Sequence, residues 1–260
     1  QSLCLLSYEE GKNEFLLLEH PNDGDFGTFV KGNNYVEQFD FADSQWNILS
    51  HQWRSADGRL MVHANSSETV NTTHQTGASI TSGGSLVLGA EQDALDGAYN
   101  SSQDFEDGEI AEFIMYGSSL KQAQRVVIEN YLAQKYGLDA RLATDHYQPA
   151  DASYTVATTG MGKESDGAIE ASAEGIHLSQ NGGLENGEYL MTAHDGATNT
   201  EATINTNSEV TNAGVDSAWN RSWYLDKTGN FSAKIAFDFG EGINGKNPGD
   251  LQYYELLYRA

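Results

Sequence analysis

Cysteine is nearly absent from this chain. Cys4 stands alone among 260 residues, so no disulfide can close within it, and the small disulfide-stapled scaffolds are excluded. A larger domain needs no such staples, so export stays open. Basic residues are scarce too: 14 Lys and Arg face 38 Asp and Glu, a formal charge of -24. Nucleic acid and anionic membrane surfaces would repel such a chain, whereas cations, neutral glycans and basic partners remain admissible. Long apolar runs are missing; none approaches the roughly 18 residues of a membrane span, so direct insertion into a membrane is not expected. The opening stretch Gln1 to Tyr8 also lacks the basic region of a signal peptide. Either the protein is not exported, or the chain begins inside a longer precursor. Its length suits one large domain or two modest ones, each able to bury a core.

What is present reads mostly as β structure. Strand-like runs at Ser2 to Tyr8, Glu14 to Glu19, Gly27 to Val30, Trp46 to Trp53, Arg59 to His63, Gly84 to Gly89 and Glu109 to Tyr116 are separated by turn-rich clusters. Short strands at such spacing predict an antiparallel sandwich. Asp57-Gly58 is the clearest hairpin signal, because glycine tolerates the positive φ that such turns demand. One segment departs from the pattern. Residues 118–136 place Val127, Ile128, Tyr131, Leu132 and Tyr136 at helical spacing. Ser118 or Ser119 is its expected cap, Gly137 its stop, and the edge of the sandwich its expected seat.

Composition shifts near Asp139, and Asp145 to Ala152 reads as a linker. This gives a first domain over 1–140 and a smaller, β-sandwich-like domain over 150–260. The second domain's expected strands are Tyr154 to Thr159, Ile176 to Ser179, Glu188 to Ala193, Arg221 to Asp226, Phe231 to Phe239 and Leu251 to Arg259.

The stretch from Leu86 to Tyr116 carries the chemistry. Between two apolar runs lies a loop holding Glu91, Asp93, Asp96, Asn100, Gln103 and Asp104. Calcium takes six to eight oxygen ligands from carboxylates, amides, backbone carbonyls and water, and this loop offers all three protein types. The alternative is a solvated acidic loop in an acidic chain.

Leu88-Gly89-Ala90-Glu91-Gln92-Asp93, followed by Asn100 and Gln103 and then by Gly108-Glu109-Ile110-Ala111, resembles the pentraxins. Trp53, Ser55, Ala56 and Gly58 echo a hairpin of that family. The resemblance covers about residues 2 to 116, and with the helix it delimits a lectin-type region over 2–138. It implies an all-β, concanavalin A-like jelly-roll sandwich with one edge helix, which binds ligands through calcium. By that resemblance Glu91 and Asp93 would be bidentate or bridging ligands, and Gln92 would give its backbone carbonyl. Asn13 would add an amide oxygen, and Asn100 with Gln103 would complete an outer ion. Tyr99, inside the loop, is a candidate ligand contact.

The departures point to a reduced site. Lys12-Asn13 stands where the family has Asp-Asn, Asn100 replaces an acid, and Ser50 replaces a disulfide cysteine, so pentraxin-like rings are not implied. The family also has about two strands before the position of Gln1. Hence the chain is expected either to be a fragment or to fill those places with a strand from its second half. The helix end Tyr131-Leu132-Ala133-Gln134-Lys135-Tyr136-Gly137 is more like the laminin G-type modules of bacterial exported proteins. Arg221-Ser222-Trp223-Tyr224-Leu225 resembles a β domain that follows such modules, for which no activity is implied.

Other chemistries fit the sequence less well. Glu91 and Asp96 could pair as in a concanavalin-like glycoside hydrolase, but Gly97 follows at once and the segment reads as loop rather than strand. The seven histidines show no zinc-like spacing, and Gly160-Met161-Gly162-Lys163 lacks phosphate-loop spacing. Trp46, Trp53, Trp219 and Trp223 suit core packing or sugar stacking. The leading expectation is a non-catalytic module of a secreted or cell-surface bacterial protein, set among neighbouring domains of a longer polypeptide. It would bind calcium and a carbohydrate or other oxygen-rich ligand. A spacer rigidified by calcium is the alternative, and the hydrolase comes third.

Overall fold

The computed structural model describes residues 3–11, 13–20, 25–39, 43–92, 94, 108–203, 217–238, 256 and 258. Contacts divide the chain into two units, Gln1–Leu120 and Lys121–Ala260. The protein is all-β apart from a single α-helix and a short 3-10 turn among the described residues.

The first unit holds β1 (Leu3–Glu9), β2 (Phe15–His20), β3 (Asp25–Val30), β4 (Asn33–Gln38), β5 (Leu49–Arg54), β6 (Arg59–Ala64), β7 (Ser67–Thr73) and β8 (Ser85–Leu88). They form a sheet of order β4-β3-β2-β1-β8 and a second of order β5-β6-β7. Every pairing in both is antiparallel. Leu6, Leu17 and Phe26 of the larger sheet pack with Leu60, Val62 and Val70 of the smaller. The two sheets therefore face each other as a sandwich, with alternate residues turned inward. Cys4, Leu16 and Leu18 form a separate buried cluster with Phe29 beside it. The Cys4 thiol serves there as a small hydrophobe.

Tight hairpins set the register. The pairs Val30–Asn33 and Ala64–Ser67 leave Lys31-Gly32 and Asn65-Ser66 as two-residue turns, all four residues having positive φ. Such turns match the right-handed twist of the strands they join. Gly58, with φ +71, closes the β5–β6 connection, where the sequence signal put a turn.

Residues 109–116 differ from expectation. They pair with no described strand, and Ile110, Phe113, Ile114, Met115 and Tyr116 are exposed. An apolar alternation becomes a strand only where a neighbour completes its ladder. Nor is a strand from the second half found among the described strands of these two sheets.

The second unit begins with α1 (Gln122–Tyr136). After a 3-10 turn at Asp139–Arg141 come β9 (Val156–Glu164), β10 (Gly167–Ile169), β11 (Ala171–Ala173), β12 (Ile176–Gln180), β13 (Glu188–His194), β14 (Glu201–Thr203), β15 (Ser217–Trp219), β16 (Trp223–Thr228) and β17 (Ala233–Phe237). Its sheets have the orders β10-β9-β13-β16, β11-β12-β17 and β14-β15. Strand β13 is central. Tyr189, Met191 and Ala193 on one face meet Ala123, Val126 and Val127 of the helix, while Leu190 meets Met161, Ile176 and Leu178 on the other. Burial on both faces explains its nearly unbroken apolar run.

The helix thus packs on β9 and β13, within the second unit, whereas its pattern had suggested a seat at the edge of the first sandwich. Its buried face is also rotated from the expected one. Ala123, Val126, Val127, Asn130 and Ala133 are buried, while Tyr136 is exposed. Small residues let the helix approach the sheet, and the Arg125–Glu129 pair, 2.6 Å apart, carries its charges inward already matched. Lys121, not a serine, precedes the helix; its N–H donates to Gln124 Oε1 at 2.9 Å. Gly137, with φ 67, ends it as expected.

Glycines seat the large side chains of β13. Gly162 lies opposite Tyr189 and Gly160 opposite Met191. A Cβ at either would fall 2.2 Å from the facing side chain. The Gly160-Met161-Gly162 run is thereby accounted for as a packing device.

Candidate functional site

The site is built from the end of β1, the β1–β2 turn and the segment that leaves β8. Beyond Leu88 the chain turns at Gly89, φ 74, whose N–H donates to the Leu5 carbonyl at 3.3 Å. It then returns across β1. Gln92, only 1% exposed, is clamped there. Its backbone N–H donates to Ser7 Oγ at 3.2 Å. Its Nε2 donates to the Ser7 carbonyl at 3.2 Å and to the Ser85 carbonyl at 3.0 Å, and Ser85 Oγ donates back to Oε1 at 2.6 Å. This amide is fully used, and it rivets the start of the acidic loop onto two neighbouring strands. Among the described residues no donor reaches the Gln92 carbonyl oxygen, the atom that the resemblance assigns to calcium.

The β1–β2 turn presents Asn13 with φ 44, a left-handed conformation that asparagine tolerates better than most residues. Both of its backbone groups are engaged. Its N–H donates to Glu9 Oε2, and its carbonyl accepts from Gly32 N–H at 2.9 Å. The side-chain amide of Asn13, half-buried, has no partner among the described residues.

Beside it, Glu14 is 6% exposed and closes the turn. It accepts from Lys31 Nζ at 2.7 Å and from Thr81 N–H at 2.8 Å. Burial pushes the Glu14 carboxyl upward, but Lys31 and the Thr81 bonds outweigh it and hold the pKa below its ordinary value. Tyr8 fastens the same stretch, since its hydroxyl donates to the Thr81 carbonyl at 2.8 Å and accepts from Gly84 N–H at 3.0 Å. Gly84 passes so close to β1 that a Cβ there would lie 2.3 Å from the Glu9 carbonyl oxygen.

Of the expected site residues, the structure describes Asn13 in the β1–β2 turn and Glu91 and Gln92 in the segment that leaves β8, where Gln92 is fastened to Ser7 and Ser85. Glu91 is half-buried. Asp93, Asp96, Tyr99, Asn100 and Gln103 lie outside the described residues. Among the described residues no group of three or more His, Cys, Asp or Glu stands close enough to hold a metal. The Glu91 carboxylate, the Gln92 backbone carbonyl and the Asn13 amide are each oxygen donors of the kind a hard cation takes. Two supporting residues escaped the sequence reading, Glu9 and Ser7. A polar residue inside an apolar strand was the available signal for both.

The tryptophans divide. Trp53 is partly buried against the first core, with Nε1 donating to the His74 carbonyl at 2.9 Å. Trp219 and Trp223 stand 4.5 Å apart with Phe237 beside them, and Trp46 is exposed.

A β-sandwich whose first strand anchors an acidic, oxygen-rich loop defines the class, and the family follows from comparison. The Pentaxin family profile matches residues 1–135, more than half of the chain. The chain belongs to the Pentaxin family. The matched stretch runs through the first unit into the last turn of α1. Similar proteins include the Pentraxin fusion protein of Xenopus laevis, 28% identical over 116 residues, covering 45% of this chain and 28% of that protein. Human Pentraxin-4 is 33% identical over 108 residues, covering 39% of this chain and 23% of that protein. The chain spans about a quarter of the length of these curated relatives. The native heptameric SAP-like pentraxin from Limulus polyphemus, a crystal structure, matches 41% of this chain and 53% of its own at 25% identity and a TM-score of 0.36. No helix among the described residues is long and apolar enough to cross a membrane.

Proposed function

We propose that the first unit is a calcium-dependent binding module whose ligand is a carbohydrate or another oxygen-rich molecule, carried by a secreted or cell-surface protein. The observation that carries this reading is the clamp on Gln92, set inside the stretch that the Pentaxin family profile matches. It fixes the start of the acidic loop at the point where Glu91 and the Gln92 carbonyl would meet the ion. Glu91, Asp93 and the Gln92 carbonyl would hold a first calcium with Asn13, and Asn100 with Gln103 an outer one; Tyr99 would touch the ligand. Calcium supplies a Lewis-acidic centre with open positions for hydroxyl, carboxylate or phosphate oxygens. The Tyr131-to-Gly137 helix end supports a bacterial exported origin.

A glycan array probed with calcium and again with chelator tests the reading. Binding to a defined glycan class that chelator abolishes is expected. Chelator-insensitive binding, or release of reducing ends from polysaccharide that is lost in Glu91→Gln, would contradict it.

A further inference from the structure

The hairpin has lost a carboxylate at Lys12, yet it has gained one from elsewhere. Glu9, the last residue of β1, is fully buried. One of its oxygens accepts from Gly11 N–H at 2.8 Å and the other from Asn13 N–H. We propose that Glu9 is the positioning residue of the calcium site, holding the β1–β2 turn and Asn13 in its left-handed conformation. The proposal rests on the calcium reading above.

Two observations converge on it. Side chains alternate along a strand, so Ser7 and Glu9 share one face of β1, and both are fully buried. Ser7 fixes Gln92 and Glu9 fixes Asn13, so residues two apart on one strand anchor two of the expected ligands. With the backbone of Asn13 engaged by Glu9 and Gly32, its amide is the group left for a ligand.

The variant Glu9→Gln keeps the length and one acceptor oxygen but turns the other into a donor, so one of the two turn bonds is lost. Terbium luminescence with calcium competition, run on the whole chain, should show calcium binding in the unaltered protein. In Glu9→Gln it should be weakened about 10- to 100-fold, as when partners of metal ligands are removed. The calcium-free melting temperature should fall modestly, since one buried N–H loses its acceptor. A turn staple alone would give that fall with calcium affinity intact, and that result overturns the proposal while leaving the calcium reading standing. Absence of calcium binding in the unaltered protein overturns both. If Glu9→Gln does not fold, amide exchange of the unaltered protein decides. Slower exchange at Gly11 and Asn13 on adding calcium supports the proposal, and unchanged exchange refutes it.

Discussion

The side-chain amide of Gln92 donates to the backbone carbonyl of Ser7 at 3.2 Å, tying the start of the acidic loop to a strand 85 positions earlier. Nothing in the local sequence near Gln92 requires that bond. It exists because β8 pairs with β1, Leu6 opposite Leu88 and Glu9 opposite Ser85, so the chain leaving β8 passes over Ser7. The bond converts sheet register into loop position.

Replacing Gln92 by Leu should therefore cost both stability and metal affinity. The Ser7 and Ser85 carbonyls and the Ser85 hydroxyl each lose a bond to the Gln92 amide, a penalty of about 1–3 kcal/mol. Urea unfolding should show the loss, with the m-value unchanged. The same variant should bind calcium more weakly than its lost stability alone explains. An unaltered unfolding midpoint would show that the clamp does not form.

His51 gives the first unit an acid sensitivity of defined sign. Its ring lies 5.5 Å from Phe15 and 6.4 Å from Phe26, with Nε2 3.0 Å from Thr28 Oγ1. Burial pushes its pKa from the ordinary 6.5 down to about 3. The unfolded chain then takes up a proton below 6.5 that the folded chain refuses, so stability falls as pH drops from 6.5 toward 3. The slope approaches about 1.4 kcal/mol per pH unit at most. Measured by urea midpoints, His51→Gln should be less pH-dependent than the unaltered protein across that window. Parallel curves for the two would refute the assignment.

In the second unit Gly162→Ala should be costly. The new methyl group would sit 2.2 Å from the Tyr189 ring, and overpacking of this kind costs about 1–3 kcal/mol. Gly117→Ala, with open space around it, should be neutral. A thermal melt of each separates them, and a neutral Gly162→Ala would mean that Tyr189 does not lie over that strand.

Legibility in the sequence followed local signals. The apolar runs of β1, β2, β6 and β8 and the glycine after α1 were readable because each carries its own pattern. Strands β4 and β7 were not. NNYVEQ and SETVNTT are too polar to read as strands, and each sits at the edge of its sheet. Their turns, Lys31-Gly32 and Asn65-Ser66, were the signal that could have revealed them. Residues 109–116 failed in the opposite direction, since apolar alternation was present and a described ladder partner was not. The helix was found, but its buried face depended on glycines and β13 residues far along the chain. At the site, Glu91, Gln92 and Asn13 are singled out by family spacing, and the structure adds how Gln92 and Asn13 are held. The anchors Ser7 and Glu9 acquire their roles only through the β1–β8 pairing and the β1–β2 turn.

Calcium titration followed by melting temperature tests the central claim most directly. Saturation to about 100 times the dissociation constant stabilises a folded state by about 2.7 kcal/mol, or roughly 5–22 °C for a domain of this size range. The account predicts such a rise in the first unit's transition, reversed by chelator and abolished in Glu91→Gln. A melting temperature indifferent to calcium, with Glu91→Gln indistinguishable from the unaltered protein, would contradict it.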